Sequence, residues 1–408
     1  MLMKSVIKKI FLLSLFLCFN TQAQSPMREQ ALKKAAQDSL VIPLNSIQLK
    51  TDSKKVSIGK KIFESTLLSF NGKTSCQTCH LDKFSSADGL ANAVGTGGMG
   101  EGHTRMMSGG DIVPRNTLPL WGRGSKGFNT FFWDGKVQVN KSNLISQFGT
   151  VYPSSDPLIV AVHLPFVEIR EMVVRDENVA RTYETEKTNA ADKIYQILSD
   201  RLKNDIALSE ELANATSKSV DEITFFDIAE SVAHFIRKNF AVEKTKFDDF
   251  MYNGGELTES ELRGGLTFFG KGQCSSCHNG PLMSDLEFHV MPFKQIGFGK
   301  NGFGVDYGRF NVTLKEADTY KFRTPPLINV TKTSPYSHSG SYKNLYSVIK
   351  AHTDPLKDFD GTNYNVIQRR EFITKLTKWG GSYSPSEPLS DNEIKNIIAF
   401  LHTLETIK

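Results

Sequence analysis

The sequence predicts a mainly α fold: two related helical domains with long loops and few short strands. Three observations carry that prediction. The pattern Cys76-Gln77-Thr78-Cys79-His80 recurs as Cys274-Ser275-Ser276-Cys277-His278, and an amphipathic helical pattern runs into each copy. Strand-like alternation is scarce, while glycines crowd the stretches behind both copies. A chain of 408 residues is long enough for two or three domains.

Taken in order, the chain opens with Lys4, Lys8 and Lys9, then the apolar run Ile10 to Phe19, then Thr21-Gln22-Ala23 with a small residue suited to cleavage. Residues 1–23 therefore read as a secretory signal peptide, and a periplasmic protein is expected. The apolar run is too short to span a bilayer, and no later stretch approaches that length, so no transmembrane segment is expected. Cys18 invites a lipid anchor, but Phe16 and Leu17 before it are bulky where a lipoprotein signal carries small residues. Cleavage after Ala23 removes three lysines and lowers the formal charge from +5 to +2. A near-neutral chain gives no reason to expect nucleic acid as a partner.

Residues 24–55 read as a polar N-terminal arm with one apolar patch, Leu40 to Leu49. A first domain is expected over 56–176. Ile58, Ile62, Phe63 and Leu67 give its leading helix, Val56 to Leu68. The glycine-rich stretch from Gly89 to Gly110 suits close backbone approach and a pocket wall. The cluster Phe128, Phe131, Phe132 and Trp133 reads on spacing alone as core, and 142–176, broken by prolines, as a long loop. Residues 177–220 are charged with helical periodicity and read as a connecting insertion.

The second domain is expected over 221–408. It begins with an amphipathic helix, Phe225 to Phe240, in which His234 reads as structural. Thr258 and Glu261 form a capping-box signal for the helix that leads into the second Cys-x-x-Cys-His. A helical stretch runs from Leu345 to His352. A final helix, Asp391 to Glu405 behind the N-cap Ser390, is left free to pack on the first domain.

Cys-x-x-Cys-His is the attachment pattern of c-type haem: two thiols add to the porphyrin vinyl groups and the adjacent His becomes an iron ligand. A lone Cys-x-x-Cys can equally be a redox or zinc motif, but the chain repeats the pattern and has no other cysteine after the signal peptide. Exported cysteines usually pair as disulfides, yet pairs only three apart are a poor framework for stapling a domain. Two covalent haems are therefore expected, held by Cys76, Cys79 and His80 and by Cys274, Cys277 and His278, giving two cytochrome c-like haem domains. The sixth ligands decide whether such a protein moves electrons or activates oxygen species. Spacing cannot choose among His103, His163, His234, His289, His338, His352, His402 and the methionines.

Pro114-Arg115-Asn116, Phe132-Trp133-Asp134-Gly135, Gly280-Pro281-Leu282, Phe322-Arg323-Thr324-Pro325 and Pro335-Tyr336-x-His338-x-Gly340-Ser341 follow one another with the two haem motifs. In that order they resemble the bacterial di-haem cytochrome c peroxidase and MauG superfamily over roughly residues 55 to 405. The resemblance implies a peroxidatic haem on His80 and an electron-accepting haem on His278, with Trp133 as the bridge between them. It implies Glu171 as acid/base, with Glu168 as fallback, and Gln147 as a pocket glutamine. It also implies a calcium ion on Asn116 and on backbone oxygens near Thr324 and Pro326. Where the peroxidases place Met and MauG places Tyr as distal ligand of the second haem, this chain has His352. A removable ligand of the first haem would be His103.

The implied activity is reduction of hydrogen peroxide to water with electrons from a small cytochrome c or copper protein. A MauG-type oxidation of a partner protein and a non-catalytic di-haem electron carrier stand as alternatives, and a homodimer stays open as the assembly.

Overall fold

The computed structural model describes residues 26–149, 152–173, 190–359, 361–380 and 388–407; the signal peptide and Cys18 lie outside them. Most of the regular structure is helical. In chain order the elements used below are α1 (26–38), α2 (Ser53–Glu64), α3 (Cys76–Cys79), α4 (His103–Met107), β1 (Thr130–Phe131), β2 (Val137–Asn140) and β3 (Asn143–Ile145). Then come α5 (Pro157–His163), α6 (Ala190–Lys203), α7 (Ile206–Thr216), α8 (Phe225–Asn239), α9 (Lys246–Tyr252) and α10 (Glu259–Phe269). The chain continues through β4 (Phe288–Val290), β5 (Lys321–Arg323), α11 (Leu345–Thr353), α12 (Val366–Trp379) and α13 (Asp391–His402).

These elements bury two hydrophobic cores. The first joins Ile58 and Ile62 of α2, Val160 of α5, Leu198 of α6, Leu212 of α7 and Val232 of α8. The second joins Leu32 and Ala36 of α1, Phe247 of α9, Phe268 of α10, Val348 of α11 and Ile397 and Phe400 of α13. The N-terminal arm is therefore not an appendage, because α1 fills the second core before the chain crosses to the first at Leu44 and Ile47.

Other expectations are corrected. α8 was expected to open the second domain, but its apolar face packs on α2 in the first core, and the boundary falls after Val242. Helices α6 and α7 pack into the same core instead of forming a separate insertion. α13 packs on α10 in the second core, so the last helix does not cross to the first domain. The presumed loop over 142–176 contains β3 and α5. Pro157 occupies the first turn of α5 and Asp156 caps it by accepting from the Leu158 N–H. A proline in the first turn starts a helix; only one farther in breaks it.

Helix ends follow local chemistry. Asp52 caps α2 by accepting from the N–H groups of Lys54 and Lys55. Thr258 with Glu261, and Ser390 with Glu393, form the expected capping boxes of α10 and α13. Such caps contribute about 1 kcal/mol each.

The helix leading to each haem motif crosses its partner at a glycine. A Cβ on Gly59 of α2 would lie 2.0 Å from the Ser231 carbonyl oxygen of α8, and one on Gly264 of α10 would lie 1.9 Å from that of Asn396 in α13. The two domains thus share one packing device. Gly59→Ala and Gly264→Ala are each expected to force the helices apart and cost about 1–3 kcal/mol, read as lower denaturant midpoints. An unchanged midpoint for either would mean that its crossing is looser than described.

The strands are few. β1, β2 and β3 form an antiparallel sheet in which Phe131 pairs with Val137, and β4 pairs antiparallel with β5, Phe288 opposite Arg323. Their use is positional. The turn after β1 presents Trp133, and β5 carries Arg323 to meet it: the Arg323 N–H donates to the Trp133 carbonyl at 2.8 Å.

Candidate active site

Each Cys-x-x-Cys-His opens into its own cavity. In the first, Ser75 caps α3 in a capping box with Thr78, which turns Cys76 and Cys79 into a cavity of about 280 Å³ also lined by His80. In the second, a 3-10 turn over Cys274–Ser276 presents Cys274, Cys277 and His278 to a cavity of about 200 Å³. All four cysteines are free, not paired as disulfides. Burial pushes the thiols of Cys76, Cys79 and Cys274 up to about 12.

The two motif histidines are oriented alike. Nδ1 of His80 donates to the Ser86 carbonyl at 2.8 Å, and Nδ1 of His278 donates to the Met283 carbonyl at 3.0 Å. Both acceptors belong to non-glycine residues in the left-handed region, Ser86 at φ +65° and Met283 at φ +53°. That turn aims the carbonyl at the ring and commits Nδ1 to the proton, leaving the Nε2 lone pair for a metal. Burial lowers both rings to about 4, so each is neutral at physiological pH.

On the far side of the second cavity, His352 is anchored by Nδ1 donating to the Val348 carbonyl one turn back at 2.6 Å. Its Nε2 is therefore a second free imidazole nitrogen in that cavity. Burial lowers its pKa, and it stands close enough to His278 to depress that ring further. Met291 and His289 also line this cavity. His289 is committed to Asp285 through Nε2–Oδ2 at 2.7 Å, and these two lie with the Cys277 sulfur inside 4.8 Å. Two cavities with paired thiols, a neutral histidine fixed at Nδ1 and apolar walls fit covalent haem; no other group is needed to explain their donor sets.

Glu171 lines the first cavity. Burial, and then its neighbour Glu168, raise its carboxyl to about 7. Glu168 itself is paired with Lys136, which leaves Glu171 as the carboxyl able to gain and lose a proton near neutrality. Lys300 reaches this cavity from the loop between β4 and β5 and stands 3.3 Å from Asp134.

Trp133 is in the walls of both cavities. Its indole N–H donates to the Asn116 carbonyl at 2.9 Å, and its ring meets that of His338 edge-on at 6.5 Å. Phe132 before it sits at φ +64°, the bend that places the indole at the domain boundary. Its surroundings are braced across that boundary by Arg115, whose guanidinium holds Asp134 at 2.7 Å and grips Asp306 through Nε at 2.7 Å and Nη2 at 2.8 Å. The Asn116 N–H adds a bond to the His338 carbonyl at 2.8 Å.

Other expected residues are placed differently. His103 is exposed at the start of α4 and does not line the first cavity. Gln147 is exposed in the turn after β3, also outside it. His234, read as structural, accepts from the Asp52 N–H at 3.0 Å.

The calcium set does not fit as arranged. The Thr324 carbonyl already accepts from the Ser284 hydroxyl at 2.7 Å and from Arg323 Nη1 at 3.1 Å, and a guanidinium on that oxygen opposes a divalent cation. The Asn116 Nδ2 donates to the Leu90 carbonyl at 2.7 Å, so only its Oδ1 could face a cation.

Sequence reasoning missed several residues. Arg105 is buried and donates to the carbonyls of Val94, Gly95 and Gly98, which folds the glycine-rich stretch so that Gly95 walls the first cavity. Lys136, Lys300 and Asp306 were also missed, because each acts through a partner remote in sequence.

The family model for di-haem cytochrome c peroxidases matches residues 53–256. Cytochrome-c peroxidase IdrP1 of Pseudomonas sp. (strain SCT) is 26% identical over 324 residues, 73% of this chain and 71% of that one. The methylamine utilization protein MauG of Methylorubrum extorquens is 24% identical over 356 residues, 86% of this chain and 78% of that one. The solved structure of the diheme peroxidase BthA from Burkholderia thailandensis overlays with a TM-score of 0.62 at 18% identity, covering 90% of this chain and 89% of that one. At that identity the overlay speaks for the fold alone.

Proposed function

The chain belongs to the di-haem cytochrome c peroxidase family and is an oxidoreductase of the peroxidase type; on that premise we propose that it is an exported enzyme that reduces hydrogen peroxide to water with electrons from a small redox protein. The observation that carries this reading is the asymmetry of the two cavities. The second is lined by both His278 and His352, whereas the first holds Glu171 and, among the described residues, no histidine besides His80.

When bound, haem iron supplies one-electron chemistry and, where a coordination position is open, a place for peroxide. The protein supplies the rest. His80 and His278 present Nε2 with Nδ1 locked, and His352 closes the second site. The Glu171 carboxylate accepts a proton from one peroxide oxygen and returns it to the other, the leaving one. Burial and then the neighbouring Glu168, itself paired with Lys136, hold the Glu171 proton affinity near neutrality. Trp133 offers a conjugated group common to both cavities, suited to pass electrons from the second site to the first.

The test is turnover. Fully haem-loaded protein is mixed with hydrogen peroxide and a reduced small cytochrome c or copper protein, and donor oxidation is followed. Two donor molecules oxidised per peroxide support the reading. No turnover with any such donor, or oxidation of side chains on a partner protein in its place, would replace it.

A further inference from the structure

Cations lining the first cavity are mostly paired: Arg115 with Asp134 and Asp306, Lys136 with Glu168, Lys300 with Asp134. Arg123 is different. It is 7% exposed and lines the cavity, its Nε donates to the Pro119 carbonyl at 2.6 Å, and no described carboxylate pairs with it. Arg323, at 1% exposed, is the one guanidinium among the described residues that lines the second cavity. Its Nε and Nη1 donate to the Phe132 and Thr324 carbonyls at 3.0 and 3.1 Å, while Nη2 is buried with no hydrogen-bond partner. Both guanidiniums lie 5.6 Å from the centroid of the Phe128 ring, one from each domain; Arg323 feels Arg123 as a like charge, with Asp285 acting against it but forming no ion pair with it.

Two buried guanidiniums gathered around one ring without carboxylates are costly. Arginine does not escape by losing its proton, and burial of an uncompensated charge costs several kcal/mol. Burial lowers the Arg123 pKa to about 10, and burial with Arg123 nearby holds that of Arg323 well below its usual value despite Asp285. Each side chain lines one of the two haem-type cavities, and a porphyrin brings two carboxylates with it. The missing anions therefore match the propionates of the cofactors themselves.

We propose that Arg123 binds a propionate of the haem in the first cavity and Arg323 a propionate of the haem in the second, so that the two cofactors supply the counter-charges the domain boundary lacks. Phe128 separates the two cations, and Arg323 through Phe132 and Trp133 links its own cavity to the other. Loading either haem then steadies the boundary at which the indole sits. This inference rests on the haem reading above.

The test uses holoprotein of Arg123→Met, Arg123→Lys, Arg323→Met and Arg323→Lys, with covalent haem counted by the pyridine haemochrome spectrum. Resonance Raman then reads the propionate bending bands, which respond to hydrogen bonding at the carboxylate, and thermal melting reads stability. Each Met variant is expected to shift a propionate band to lower frequency and to melt lower than wild type, with partial recovery of both in the Lys variant. If Arg323→Met yields no haem protein, Arg323→Lys still reports, because loss of the bidentate guanidinium shifts the band while charge is kept. Covalent haem with unmoved propionate bands, or Met variants that melt higher as expected for removal of an unpaired buried cation, would overturn the proposal. Absence of covalent haem in the wild type would instead overturn the haem reading on which it rests.

Discussion

Replacing Glu171 with Gln is expected to lower peroxide turnover by roughly 10²–10⁴-fold, the usual contribution of a positioned proton-transfer group. The amide keeps the shape of the side chain but cannot carry the proton from one peroxide oxygen to the other. The pH profile gives a second signature. Burial, and then Glu168, hold the Glu171 carboxyl at about 7, and the carboxylate is the form that starts the transfer. Turnover is therefore expected to rise with pH through about 7 and to lose that limb in the Gln variant. Glu168→Gln removes a neighbouring negative charge, so the limb should move to lower pH with activity retained. Loss of the limb in Glu168→Gln with its persistence in Glu171→Gln would exchange their roles.

The largest expected stability change is at Arg115. Arg115→Met strands the Asp306 carboxylate and leaves Asp134 only Lys300 at 3.3 Å; both carboxylate side chains are 0% exposed. Breaking a buried ion pair on one side costs about 3–5 kcal/mol, because the remaining charge is left without compensation. In the native protein burial pushes both carboxyls up, but Arg115 outweighs it and both end below their ordinary value of 3.8. Their contribution is present above that value and lost as pH falls through the native pKa values. In the variant the sign reverses, because stranded buried carboxylates bind protons more tightly when folded. The deficit against wild type should therefore shrink as pH is lowered from 7 towards 5, as read from denaturation midpoints at each pH. A deficit that stays constant would assign the loss to packing instead of charge.

Much of this architecture was legible in the sequence. The motif pair located both cavities because covalent attachment fixes thiols and imidazole within five consecutive residues, and Ser75 and Thr78 need only local geometry to present them. Capping residues marked α10 and α13 for the same reason. His352 was singled out by the family resemblance and not by spacing, and the structure anchors it through Nδ1 on the Val348 carbonyl one turn back. What the sequence hid is long-range. Whether α8 packs on α2 or on α10 depends on a close helix crossing at Gly59 that no periodicity reveals. The order within the glycine-rich stretch comes from one buried arginine, Arg105, satisfied by backbone carbonyls. Lys300 and Asp306 reach the first domain from the second across the boundary, so their roles depend on tertiary placement.

His103 and Gln147 show the limit of carrying roles by alignment of loops. Both are exposed, and neither is brought to the cavity. Glu171 and Trp133 sit where the surrounding structure constrains them. Trp133 is held by its indole bond to Asn116 and by Arg323 on its carbonyl, and both cavities depend on that placement.

The central claim is that two identical attachment motifs serve unlike sites, one closed by His352 and one without a second protein ligand. The most direct measurement is the spin state of each iron in the oxidised and half-reduced holoprotein, by electron paramagnetic resonance with optical spectra. One high-spin iron and one low-spin iron with two imidazole ligands are predicted, the low-spin signal being lost or altered in His352→Ala. Two low-spin irons in both states, or a low-spin signal indifferent to His352, would contradict it.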